Sequence, residues 1–192
     1  MEQRTDARII KTKAKLIETF RAMANEIPFE DITVNDLCKK ADIRRATFYK
    51  HYKDKYDFLR FYVTELRDNF DNDFKRKRRP DATAAYYVEY IHGIVKFLTE
   101  NEGMIRLIMQ SNVLPVIIDI IKSQNYYDTC DRLRKSVSEG MKLCAPIETI
   151  AAFMTGGVIE AILSWLKSDR HVTLKELTKE ISNAIRLLTG EN

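Results

Sequence analysis

The stretch Ile32–Leu59, ITVNDLCKKADIRRATFYKHYKDKYDFL, decides the fold. Its apolar residues Val34, Leu37, Cys38 and Ala41 recur at three and four, which predicts a short helix. Thr33 with Asp36 has the S/T-x-x-D/E form of a capping box, so the threonine oxygen can accept from a free N–H of the first turn. A turn at Asp42-Ile43-Arg44 follows, then a second short helix over about Arg44 to Tyr52. Two helices joined by such a turn are a helix-turn-helix arrangement. The second carries Arg44, Arg45, Thr47, Tyr49, Lys50 and His51, all able to donate to phosphates or base edges. Ala46 is small enough to let the backbone approach a duplex or to touch a thymine methyl. Ile43 and Phe48 are apolar and suit packing against Leu37 and a preceding helix. Lys55 opens the next helix, where a free N-terminus and a cation together favour a phosphate.

The pattern outside this stretch is also helical. Ile9, Ile10, Ala14, Ile17, Phe20 and Ala24 line one face of a first helix. From Asp54 a long segment runs to Arg79, with Phe58, Leu59, Tyr62, Leu66 and Phe70 on one side, and Pro80 stops it. Further helices are expected near 82–100, 103–111, 115–123, 125–142, 147–168 and 174–189, Pro115 and Pro146 sitting where helices begin. Thr173 and Glu176 form a second capping-box pair. The first 92 residues contain no glycine, so tight turns there must use Asn or Asp. No alternating strand pattern appears. The fold class is all-α: a three-helix helix-turn-helix module over residues 1–54, then a larger helical domain over 55–192.

Composition excludes other classes. Of 192 residues, 45% are hydrophobic and 31% charged, too apolar for a disordered chain. Six Gly and four Pro are too few for a collagen-like or low-complexity chain. Cys38, Cys130 and Cys144 are odd in number and widely spaced, so they form neither a disulfide framework nor a paired metal site, and point inside the cell. The charged N-terminus is not a signal peptide. Thr149 to Leu166 is nearly all apolar, but Glu160 interrupts it and it falls short of the roughly 20 residues a bilayer needs, so it reads as a buried helix. His51, His92 and His171 are dispersed, and no phosphate loop or nucleophile motif is present, so neither an enzyme, a metal nor a cofactor is expected.

At this point the sequence resembles the TetR (tetracycline-repressor-like) family of transcriptional regulators. The matching residues are the Arg8-to-Phe20 helix, Ile32-Thr33-Val34 with Asp36-Leu37, Ala41, and Thr47-Phe48-Tyr49 followed by His51-Tyr52 and Lys55. Asp42 departs from the family's usual glycine, and Arg44 from its small polar cap. The resemblance implies a cytoplasmic homodimer that places each second helix of the motif in a major groove of a palindromic DNA operator, a repressor controlled by a small-molecule effector. It implies that Thr47, Tyr49 and Lys55 hold phosphates and that Arg44, Arg45, Lys50 and His51 lie nearest base edges. Thr33 and Ala46 complete the candidate contact set. A second reading, motivated by Asp42 and Arg44, keeps the module as a protein-interaction adaptor with weak or lost DNA binding. The run Lys75–Arg79 lies roughly 36 Å down the helix from Lys55 at 1.5 Å per residue and reads as a solvated helix end.

The larger part suits regulation. Ile150, Met154, Val158, Ile162 and Trp165 form one apolar face, and Leu177, Ile181 and Ile185 a second. Two such helices from each subunit make a four-helix dimer interface, while part of each stripe faces the subunit's own core. Candidate lining residues for an apolar or aromatic effector are Tyr86, Tyr90, His92, Met104, Met109, Tyr126 and Phe153, each of which reads equally as plain core. Gly156-Gly157 would kink its helix, open a cavity or let two helices approach. Cys38 reads as a small core hydrophobe more readily than as a redox sensor. Charge divides unevenly: residues 1–60 carry a net of +4 and residues 80–192 a net of −2.

Overall fold

The computed structural model describes residues 2–77, 84–168 and 172–190. Nine α-helices and no strand occur among them: α1 (Glu2–Ala24), α2 (Val34–Lys40), α3 (Arg45–Tyr49), α4 (Lys55–Lys77), α5 (Ala84–Glu100), α6 (Glu102–Met109), α7 (Leu114–Ser138), α8 (Ile147–Lys167) and α9 (Leu174–Thr189). The chain divides into two compact units, Met1–Leu66 with Asn101–Ile117, and Arg67–Glu100 with Ile118–Asn192. The first is larger than the module expected over 1–54, because it also takes in the start of α4, all of α6 and the first residues of α7. Pro80, His171 and the side chains of the Lys75–Arg79 run lie outside the described residues.

The first unit is built on an aromatic core. Leu16, Phe20 and Met23 from α1 are buried with Leu37 and Cys38 from α2, Phe48 from α3, and Phe58, Leu59 and Tyr62 from α4. Phe20 meets Phe58 edge-on at 5.3 Å and Tyr62 at 4.8 Å between ring centroids, a geometry in which ring edges face ring clouds. Helix α2 starts at Thr33, whose hydroxyl accepts from Asp36 N–H at 3.1 Å. The reciprocal bond of a full capping box is not formed there: Asp36 Oδ2 instead accepts from the Thr33 hydroxyl at 2.5 Å. At Thr173 the longer Glu176 does reach back, and the box is complete.

The turn after α2 is a Schellman cap. Asp42 N–H donates to Lys39 O at 3.3 Å and Ile43 N–H to Cys38 O at 2.9 Å, with Asp42 at φ 53°. Asp42 therefore occupies the left-handed position that the absence of glycine in this half of the chain leaves to Asn or Asp. The same closure ends α7, where Gly140 has φ 105° and Met141 N–H donates to Ser136 O at 2.9 Å.

In the second unit α5 and α8 both pack on α9. Tyr86, Ile91, Val95, Leu133, Ile150, Met154, Ile162, Trp165, Leu177, Ile181 and Ile185 share its core. Two separate helices were expected over 115–142; a single helix α7 is found. The polar run Ser123-Gln124-Asn125 contains neither proline nor glycine, and nothing in it ends a helix. Helix α8 has the length and hydropathy of a membrane span, and its Ile150, Ala151, Met154, Ile162 and Trp165 are buried in this core.

Replacing Asp42 tests the turn directly. Asp42→Gly should hold or raise the thermal midpoint, because glycine adopts φ 53° without a Cβ clash and the ion pair lost with Lys15 (3.7 Å) is exposed. Asp42→Val should destabilise the protein by about 1–2 kcal/mol, read by denaturant unfolding.

Candidate nucleic-acid interface and cavity

Helix α3 has five residues and one buried side chain, Phe48. That ring is fully enclosed, 5.3 Å from Tyr52 and 5.9 Å from Phe58. With one face held, the other is turned to solvent: Arg44, Arg45, Ala46, Tyr49 and Lys50 are exposed, and Thr47 and His51 are half-buried. Tyr49 is 48% exposed, and the Arg45 guanidinium lies 5.9 Å from its ring centre. Arg44 occupies the N-cap without a side-chain bond to the helix, so its guanidinium is not used for capping. This face combines three cations, a phenol and a methyl on one side of one short helix. Thr33 is exposed too, but its hydroxyl is occupied by Asp36.

Lys55 has a different role from the one its position suggested. Its ammonium donates to three carbonyls, Glu30 O at 2.8 Å and Phe29 O and Ile32 O at 3.2 Å each, and lies 4.8 Å over the Phe29 ring. An ammonium has three donors, and all three are used. Nor is the helix N-terminus open: Asp54 Oδ1 accepts from the N–H groups of Tyr56 and Asp57 at 2.8 Å each. The ammonium expected at a phosphate is here committed to main-chain carbonyls. The lysine ties the 3-10 turn Phe29–Asp31 to the start of α4. Glu30 extends the tie, accepting from Ser111 Oγ at 3.0 Å and Asn112 N–H at 2.7 Å. Main-chain N–H donors, its own first, hold the Glu30 carboxyl below its ordinary range. Burial pushes the Cys38 thiol up, against a smaller pull from Arg45, which disfavours the thiolate that oxidation requires.

The second unit contains a cavity of about 60 Å³ lined by α5, α7, α8 and Ile185 of α9. Tyr86 and Tyr90 line it, with Tyr87, Ile91, Ile94, Met154 and Val158. The other candidate lining residues do not. His92 points to solvent, Phe153 is 66% exposed, and Tyr126 packs on the core elsewhere. Met104 and Met109 belong to the first unit, where Met104 accepts from the Tyr62 hydroxyl at 4.0 Å. The polar lining residues Asn125, Asp128, Thr129, Arg132 and Thr155 were not anticipated. Of these only Thr155 left a signal, as a hydroxyl within an otherwise apolar run.

The residues expected at a dimer face lie largely within the subunit's own core. Ile150, Met154, Ile162, Trp165, Leu177, Ile181 and Ile185 are buried in the subunit's own core, with Val158 half-buried against it. The large apolar side chains that α8 and α9 leave exposed are Phe153, at 66%, and Leu187, at 81%. Helix α8 runs unbroken through Gly156 and Gly157, and both face open space rather than a neighbouring helix.

Comparison with known proteins agrees with this architecture. Residues 88–187, just over half of the chain, match the TetR-family domain described as "Transcriptional regulator C-terminal region". A segment of 93 residues is 31% identical to an uncharacterized HTH-type transcriptional regulator, YxbF, of Bacillus subtilis strain 168, covering 43% of this chain and 24% of that relative's length. The chain thus spans about a quarter of that relative. A TetR transcriptional regulator from Streptococcus agalactiae 2603V has a similar structure, with a TM-score of 0.66 and 26% identity over 96% of this chain and 99% of that one. The fold is shared by the regulator FadR from Bacillus subtilis, solved in complex with stearoyl-CoA, with a TM-score of 0.68 and 18% identity over 93% and 98% of the two chains. With its helix-turn-helix face, its two helical units and this match over its C-terminal half, the chain belongs to the TetR family of transcriptional regulators.

Proposed function

We propose that this protein is a one-component repressor of the cytoplasm that binds a palindromic DNA operator as a homodimer and is controlled by a small-molecule effector. The observation that carries this reading is the exposed donor face of α3, fixed from behind by Phe48. Arg44, Arg45 and Lys50 have the reach and donors to read base edges, with His51 beside them, while Tyr49 and Thr47 suit phosphate oxygens. Ala46 leaves room for a thymine methyl. Thr33 would join them only by turning its hydroxyl away from Asp36. Lys55 is left out of this set. Asp42 sits in its turn without disturbing it, so this one of the two departures that motivated an adaptor reading does not weaken the module.

Dimerisation is assigned to the exposed side of α8 and α9. Cys144 Sγ donates to Leu188 O at 3.4 Å, placing the end of α9 beside the segment leading into α8, so Phe153 and Leu187 lie at the same end of the pair. Gly156 and Gly157 would let a partner helix come close. No membrane enters the reading. The effector is assigned to the cavity of the second unit, in a fold that holds stearoyl-CoA in FadR. A ligand that binds one of two conformations better would shift the population of the DNA-binding form.

A mobility-shift assay with DNA flanking the protein's own gene tests the reading. Sequence-dependent, salt-sensitive retention is expected; its absence at low salt would refute DNA binding. Tyr49→Phe should weaken all sequences alike, whereas Arg45→Ala should cost about 1–3 kcal/mol at one operator position and relax specificity there. Lys55→Met should lower stability by about 1.5–3 kcal/mol through its lost carbonyl bonds, yet leave the slope of log affinity against log salt unchanged. A slope reduced by about 1 would instead return Lys55 to the phosphate contacts. Phe153→Asp should convert the dimer to monomer in sedimentation, with helical content retained, because it places a charge on the proposed interface.

A further inference from the structure

The inference concerns the chemistry of the effector and rests on the assignment of the cavity as the effector site. We infer that the cavity takes a small apolar carboxylate, with Arg132 as its counter-ion and Thr155 as a hydrogen-bond donor.

Two cations of this unit have contrasting surroundings. Arg67 is held by Asp71 at 3.2 Å and by Asp68 at 3.6 Å, its Nη2 donates to Asp128 Oδ2, and its Nε donates to Asn125 Oδ1 at 3.2 Å. Asp71 accepts further from the Tyr90 hydroxyl at 2.6 Å. One guanidinium thus serves three carboxylates, and Arg67 has no charge to spare for a ligand. Arg132 also lines the cavity and is half-buried, yet no described carboxylate lies within ion-pair distance of it. Its guanidinium rests over the Tyr86 ring, 4.3 Å from the centroid. A ring face is a partial substitute for an anion, and it leaves in-plane N–H groups of the guanidinium to donate to a carboxylate.

The hydroxyl of Thr155 is the second observation. It is buried, lines the same cavity and has no hydrogen-bond partner. A threonine inside a helix ordinarily bonds the carbonyl one turn back; the buried Thr178 and Thr189 of α9 do so at 2.8 and 3.0 Å. Thr155 does not, and an unpaired buried hydroxyl is unfavourable unless something completes it. An unpaired cation and an unpaired hydroxyl in one cavity are complemented together by an anion that accepts from both.

The remaining walls set the body of that anion. Ile91, Met154 and Val158 are apolar, and Tyr86 and Tyr90 offer ring faces. A volume of about 60 Å³ is below the roughly 150 Å³ of an apolar cavity that holds benzene, so a ligand of one ring or a short chain enters only as the lining side chains move apart. A single arginine matches the single charge of a carboxylate better than a phosphate dianion, and the Tyr86 hydroxyl, which lines the cavity and also lacks a partner, stands beside that of Thr155 as a further donor.

Calorimetric titration of the full-length protein with benzoate, benzyl alcohol and benzylamine tests the charge at nearly constant shape. Benzoate should saturate one site per subunit and bind roughly tenfold or more tightly than either of the others. Arg132→Gln should remove that advantage, Arg132→Lys should restore part of it, and Thr155→Val should weaken benzoate severalfold, with circular dichroism unchanged in each. Equal binding of benzyl alcohol or benzylamine overturns the inference, as does benzoate affinity indifferent to Arg132→Gln. So does a lack of saturable binding by benzoate, 3-phenylpropionate and hexanoate alike. Repeating the titration against retained operator DNA separates the two readings. Arg132-dependent benzoate binding that leaves DNA retention unchanged refutes effector control but not the carboxylate site; DNA release by a neutral ligand does the reverse.

Discussion

The contact of Phe48 with Phe58 and Tyr52 is the constraint on which the DNA-facing surface depends. Helix α3 is only five residues long, and an isolated helix of that length does not form, since nucleation outweighs the few bonds gained. Its existence and its rotation about its own axis therefore come from tertiary packing. One ring does this, because the other four positions of the helix are too polar or too small to be buried. The same ring that fixes the helix also decides which side chains face outward. Arg45 and Tyr49 are exposed because Phe48 is not.

The ends of the neighbouring elements are held by side chains where other proteins use glycine or water. Asp42 takes the left-handed position of a Schellman turn, Asp54 caps the first N–H groups of α4, and Lys55 collects three carbonyls at the exit of the 3-10 turn. All three lie in the basic first 60 residues, and the Lys55 ammonium has its donors committed internally. Net charge in the module therefore overstates what is available to a phosphate. The cations of α3, with no described carboxylate in ion-pair reach, are the available ones.

Local signals made the elements legible and failed where partners come from afar. Periodicity located the helices, the Thr173–Glu176 spacing announced a capping box, and the lack of glycine forced the reading of Asp42, since each of these is decided within a few residues. The role of Lys55 was hidden because its acceptors lie 23 to 26 residues away. How much of the α8 stripe turns into the subunit's own core was hidden for a related reason. Ile150, Met154 and Ile162 form the stronger apolar stripe, and strength of stripe marks a core; the surface left over is weaker, being one phenylalanine among small residues. In the cavity, aromatic residues were anticipated because aromatic content is visible in sequence. Arg132 and Thr155 were missed because an arginine and a threonine on helices look solvated or neutral until their surroundings are known.

The two units use charge in opposite ways, and this follows from where each charge can find a partner. On α3 the cations stand in water, where an unpaired guanidinium carries little penalty and its donors stay free for a polyanion that arrives from outside. In the second unit Asp71 is buried, and burial would be costly without Arg67 and the Tyr90 hydroxyl. Three carboxylates gather on Arg67 while none among the described residues reaches Arg132, although both arginines border the same group of tyrosines. A core that had only stability to satisfy would share its carboxylates between the two. The uneven division leaves Arg132, with the unpartnered hydroxyls of Thr155 and Tyr86, facing a space that no side chain of the unit fills.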